Sequence, residues 1–126
     1  MIVRMWRGSA TVGANADAYE RHVTATVFPA VCRLEGNCGA RLLKRRVAGH
    51  IEFLAVTYWT TLEAVKAFAG EDVERAVVEP AAQAVLAEFD PFVTHYEVAH
   101  AAGVDGTNPG QARSGPDVGS ATGLPT

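Results

Sequence analysis

The sequence predicts an α+β fold: a four-stranded antiparallel sheet with helices on one face, in the ferredoxin-like order β-α-β-β-α-β. Three observations carry this. His50–Trp59 is apolar at nearly every position instead of alternating, so both faces of that strand must be covered. Ala48-Gly49 separates it from Cys38–Val47, a second strand-like run, as a hairpin turn would. Helical patterns lie on either side of this pair, with a further strand-like run beyond each. These helices can cover one face of the sheet. Leaving large side chains bare on the other would forfeit roughly 1.5–3 kcal/mol each. A second copy of the chain, stacked sheet on sheet, is therefore the expected partner, and the space between the two faces is a natural place for a pocket.

Taken in order, Ile2–Arg7 is strand one, bounded by Gly8-Ser9, and Val12–Ala16 is a loop. Asp17 starts helix one, with Glu20 completing a capping box. Tyr19, Val23, Val27, Ala30 or Val31, and Leu34 recur at helical spacing and form its buried stripe. Pro29 falls inside that pattern and predicts a kink or an early end. Glu35-Gly36-Asn37 is a turn into strand two, Cys38–Val47, and Asn37 reads as a turn residue. After strand three, Thr60-Thr61-Leu62-Glu63 carries a second capping box, and Leu62–Ala69 is a short helix stopped by Gly70. Asp72 caps a further helix through Glu79, Ala81–Phe89 continues helically after Pro80, and Phe92–His100 is strand four. From Ala101 the chain turns Gly- and Pro-rich without an aromatic residue. A domain over residues 1–100 followed by a disordered tail over 101–126 is the expected organisation.

With 126 residues the chain makes one domain. A net charge of -3 and pI near 5.7 argue against nucleic acid as a partner, which needs a concentrated basic surface. The cluster Arg41, Lys44, Arg45 and Arg46 reads as a solvated strand edge. Cys32 and Cys38 read as reduced thiols, and their spacing is not that of a metal site. No apolar leader or membrane-length run appears, so a cytoplasmic location with no membrane partner is expected. No paired carboxylates, Ser-His-Asp set or Gly-rich phosphate loop appears either, which removes the hydrolase and kinase readings.

Residues 1 to 99 resemble the antibiotic biosynthesis monooxygenase-like group of the dimeric α+β barrel superfamily. The resemblance rests on Ile2-Val3-Arg4-Met5-Trp6-Arg7-Gly8, Gly36-Asn37-Cys38-Gly39 and Phe53-Leu54-Ala55-Val56-Thr57-Tyr58-Trp59. It continues through Leu62–Gly70 and ends at His95-Tyr96-Glu97-Val98. It implies a homodimer with one cavity per subunit. It also implies either cofactor-free oxygenation of polycyclic phenols and anthrones or heme degradation. Heme-degrading relatives use an Asn near the end of strand one, a Trp on the short helix after strand three and a His on the next helix. Those positions fall here at Arg7, near Phe68, and around Val77, Val78 or Glu79, so the heme pattern is lost.

The expectation is accordingly a cofactor-independent monooxygenase acting on an aromatic or polyketide-type molecule, with no cofactor and no metal. The alternatives are a non-catalytic small-molecule-binding or structural dimer, and a polyketide isomerase or cyclase on the same fold. Oxygenation without a metal needs a base to make an electron-rich anion, a dry pocket, and donors that stabilise the anion. His95, mid-strand, is the expected base. Arg4 and Arg7 lie on opposite faces of strand one, and the alignment favours Arg7 as the catalytic anion stabiliser, with Arg4 as a substrate contact. Trp6 and Trp59 are expected as aromatic walls and indole donors, with His22 and Tyr58 as further substrate contacts. His50 and His100 read as solvated.

Overall fold

In the computed structural model residues 1–103 are described. The expected tail lies, beyond residue 103, outside the described residues. An antiparallel sheet forms one layer and helices cover one of its faces. The strands are β1 (Ile2–Thr11), β2 (Asn37–Val47), β3 (His50–Trp59), β4 (Glu88–Phe89) and β5 (Thr94–Glu97). Their order is β2-β3-β1, with β4 and β5 sharing the outer edge of β1: β4 pairs with Gly8 and Ser9, β5 with Ile2 to Met5. The expected fourth strand, Phe92–His100, is cut to β5, and β4 lies in the stretch expected to be helical, Ala81–Phe89, with Asp90-Pro91 separating the two. Pro91 has no N–H to give a ladder there. Strand β1 runs past Gly8 to Thr11, because Gly8 sits opposite Phe53 in an unbroken ladder.

The β2–β3 hairpin turns at Ala48 and Gly49, which take φ of 48° and 85°. Those left-handed values match the twist of the flanking strands. On the helical side, α1 spans Ala14–His22, starting three residues earlier than expected. Gly13 is its N-cap, and Asp17 lies in the first turn rather than capping it. Ahead of Pro29, Val23–Val27 widens into a π-bulge, with the Phe28 N–H donating to the Val23 carbonyl, and α2 (Phe28–Val31) ends the helical run short of Leu34. A bulge placed there relieves the clash a proline ring makes with the carbonyl four residues back.

After β3, α3 (Leu62–Ala69) is capped by Thr61, whose Oγ1 accepts from the Ala64 N–H at 3.2 Å. The cap sits one residue later than the box starting at Thr60 would have it. The expected helix from Asp72 to Glu79 is absent: that stretch is irregular, tied to the chain near Phe92 by an isolated bridge from Arg75. Only Pro80–Gln83 (α4) is helical beyond it. The sequence between Asp72 and Glu79 holds Val73, Val77 and Val78, β-branched residues that are weak helix formers.

Strand alternation puts Ile2, Arg4, Trp6, Ala10, Phe53, Ala55, Thr57 and Trp59 on the helix-covered face. Two apolar clusters form there. Ala10, Tyr19, Val23, Phe53 and Ala82 make one; Val31, Trp59 and Val65 make the other. The opposite face carries Val3, Met5, Leu43, Leu54, Val56 and Tyr58 together with an ion-pair group, and no element of the described residues covers it.

Candidate active-site cavity

Residues from both apolar clusters border a cavity of about 230 Å³ between the sheet and its helices. The cavity therefore lies inside the protomer, under the helices, and not between stacked sheets as the sequence suggested. The sheet supplies Arg4, Trp6, Ala55 and Thr57 as its floor. The helical layer supplies Tyr19, His22, Val23, Val27 and Val31. Val78 and Glu79 come from the irregular segment, and Leu34 and Val77, 41% and 50% exposed, mark the rim.

Arg4 is the polar centre of this lining. It is 5% exposed. Its guanidinium donates to the carbonyls of Val73 (2.6 Å) and Arg75 (3.1 Å) and stands 3.1 Å from His95 Nε2. It also lies over the Phe68 ring, 5.6 Å from the centroid. Among the described residues no carboxylate stands within ion-pair distance of it, and burial alone pulls its pKa down to about 10. It stays cationic at neutral pH, a buried charge whose protein partners are neutral. Such a charge is costly unless something anionic compensates it.

The other expected site residues are placed differently from one another. Trp6 lines the cavity, leaning across Gly8, where a Cβ would come within 2.9 Å of the ring. Its indole N–H is already used, donating to the Asp90 carbonyl at 2.7 Å. His22 lines the cavity from the end of α1. Its Nε2 is buried and lies 3.0 Å from Glu79 Oε1, close enough for an ion pair but misaligned for a hydrogen bond. Trp59 is fully buried one layer behind, stacked on Phe68 at 5.5 Å and donating to Thr57 Oγ1 at 2.8 Å. His95 does not line the cavity but stands behind Arg4. Burial, then the Arg4 charge, holds its pKa below the usual histidine value, so it is the neutral acceptor for Arg4.

Arg7 and Tyr58 lie on the opposite face of the sheet. The Arg7 guanidinium binds Glu52 (2.9 Å), Glu88 (3.0 Å) and Asp90 (3.3 Å), an arrangement that holds it firmly charged and away from the cavity. The strand-one arginine that faces the cavity is therefore Arg4. Lys44 and Arg45, from the basic cluster, pair with Glu20 and Glu52.

Tyr19 is a lining residue that sequence reasoning assigned only to the core stripe. Its hydroxyl has no protein partner among the described residues, and burial raises its pKa. Its helical spacing marked it as buried but could not show that a cavity lay beneath it. Among the described residues no group of His, Cys, Asp and Glu is arranged to hold a metal ion. No helix there is long and apolar enough to cross a membrane.

The ferredoxin-like α+β domain that holds this cavity shares its fold with antibiotic biosynthesis monooxygenase-like proteins. Solved structures of three such proteins superpose on it. Heme-degrading MhuD from Mycobacterium tuberculosis matches with a TM-score of 0.56 at 22% identity, over 82% of this chain and 100% of that one. The cofactor-independent oxygenase SnoaB from Streptomyces nogalater matches at 0.53 and 17%, over 76% and 91%. A proposed antibiotic biosynthesis monooxygenase from Bacillus cereus matches at 0.54 and 17%, over 81% and 94%. No protein-family model matches the chain, and no curated protein matches it by sequence.

Proposed function

We propose that this chain is a cofactor-independent oxygenase for a small, electron-rich aromatic molecule of polyketide type, working as a homodimer. The observation that carries it is Arg4, a buried cation in the wall of an apolar cavity with no carboxylate partner among the described residues. A phenolate or enolate supplies the missing negative charge. The apolar walls take the rings, and exclusion of water strengthens the charge pairing. An anion of this kind is electron-rich enough to reduce O2 directly. For an anthrone-type CH2 flanked by rings, loss of a proton gives the anion, and O2 adds at that carbon. The abstracted proton returns to the peroxide so formed, the second hydrogen is lost from the carbon as the O–O bond breaks, and both hydrogens leave with one oxygen as water while the other oxygen stays as the new carbonyl.

The likeness to SnoaB supports this chemistry, whereas the lining does not suit heme handling of the kind expected from heme-degrading relatives. Position 7 faces away from the cavity, position 68 is a Phe stacked on Trp59, and positions 77 to 79 are Val-Val-Glu. At about 230 Å³ the cavity is also below the ~300–1,000 Å³ of ordinary drug-sized sites, a size for two or three fused rings. Dimerisation is supported by the apolar second face, where Leu43 and Tyr96 are 47% and 58% exposed. The test is oxygen consumption by the purified protein on anthrones and hydroquinones without added metal or cofactor. Turnover of the same compounds without oxygen would instead support an isomerase or cyclase.

A further inference from the structure

His95, the histidine favoured by the sequence, cannot reach a ligand in the cavity, because it stands behind Arg4 and accepts from it. The cavity has its own imidazole. His22 closes helix α1 and lines the cavity, with a side chain 17% exposed. Its Nε2 faces the Glu79 carboxylate at 3.0 Å. Nδ1 makes no hydrogen bond to the described residues, and the His22 side chain borders the cavity. Glu79 is half-exposed, so it touches His22 on one side and water on the other.

We infer that His22, backed by Glu79, is the proton acceptor of this cavity, working on a ligand whose oxyanion Arg4 holds. The inference rests on the aromatic-ligand reading above. A carboxylate beside Nε2 favours the tautomer with its proton on that nitrogen, which leaves the Nδ1 lone pair to accept. Nδ1 takes the proton from the ligand's phenolic or enolic O–H. The electron pair of that bond stays on the ligand oxygen, whose new negative charge faces the Arg4 guanidinium. The imidazolium so formed is stabilised by Glu79, whose exposed side gives the proton a way to bulk water. Glu79 would be a positioning residue and His22 a catalytic one.

The experiment is an anaerobic titration of the full chain with a dihydroxyanthrone at neutral pH, reading the visible absorbance of its ring anion. Wild type is expected to bind the probe and ionise it. The His22→Gln variant should bind it as tightly and leave it neutral, and in air should consume oxygen roughly 10²- to 10⁴-fold more slowly. The Glu79→Gln variant should lower the ionised fraction with His22 still in place, and it decides the matter if His22→Gln does not fold by circular dichroism. Ionisation unchanged in either folded variant, or a wild type that binds without ionising the probe, overturns the inference and leaves the aromatic-ligand reading standing. A wild type that binds no such probe overturns both.

Discussion

Arg4 Nη1 stands 3.1 Å from His95 Nε2, across the β1–β5 ladder in which these two residues are direct partners. Because a guanidinium can only donate, the contact requires a neutral imidazole with a free lone pair on Nε2. The pair joins the outer strand to the cavity floor and fixes the direction in which the buried cation points.

Protonating His95 should therefore cost stability. Burial and the Arg4 charge lower its folded pKa below the ordinary 6.5, opposed in part by Glu74. The unfolded chain then binds the proton first as pH falls. Stability attributable to His95 is present above about pH 6.5 and is lost as pH falls through the lower folded value. His95→Gln keeps an acceptor for Arg4 without the titration. Urea denaturation should show the wild type losing ground to this variant between neutral and mildly acid pH. Parallel curves would contradict the assignment.

Gly36 is a second point of strain control. Its φ is 87°, its carbonyl accepts from the Thr60 N–H at 2.8 Å, and a Cβ there would come within 2.5 Å of the Ala64 Cβ. Gly36→Ala combines a left-handed backbone with a clash into α3, and should cost about 1–3 kcal/mol in chemical denaturation. A neutral substitution would mean the turn relaxes away from α3.

The sheet face that no described element covers makes its own prediction. Leu43 is paired with Leu54 at the centre of the β2–β3 ladder on that face. If a second copy covers it, Leu43→Glu places an uncompensated charge in the interface. Light scattering should show wild-type dimers and variant monomers with unchanged far-ultraviolet circular dichroism. A monomeric wild type would contradict dimerisation.

Local chemistry made part of the fold legible. The hairpin at Ala48-Gly49, the apolar run of β3 and the stop at Gly70 are each written within a few residues. The split outer strand and the irregular stretch from 71 to 79 were not, because they depend on what pairs with β1 and on what closes the cavity. Alternation along β1 separated Arg4 from Arg7 but could not say which face the helices cover. Only the register against β3 and the acidic group of Glu52, Glu88 and Asp90 decide that. Trp6 and Trp59 were legible as aromatic residues on adjoining strands, yet both indole N–H groups are taken by the protein itself. His22 was legible as a substrate contact but not as half of a pair, since Glu79, its partner, lies far along the chain.

The most direct test of the buried cation's role compares Arg4→Gln with Arg7→Gln on one oxidisable anthrone, following oxygen uptake without added cofactor. Arg4→Gln keeps donors for the Val73 and Arg75 carbonyls but removes the charge, and uptake should fall by about 10²- to 10³-fold, as on loss of an oxyanion-stabilising donor. Arg7→Gln, on the opposite face, should turn over like wild type. Uptake that survives in Arg4→Gln, or that collapses in Arg7→Gln instead, would contradict the assignment of Arg4 as the group that holds the substrate anion.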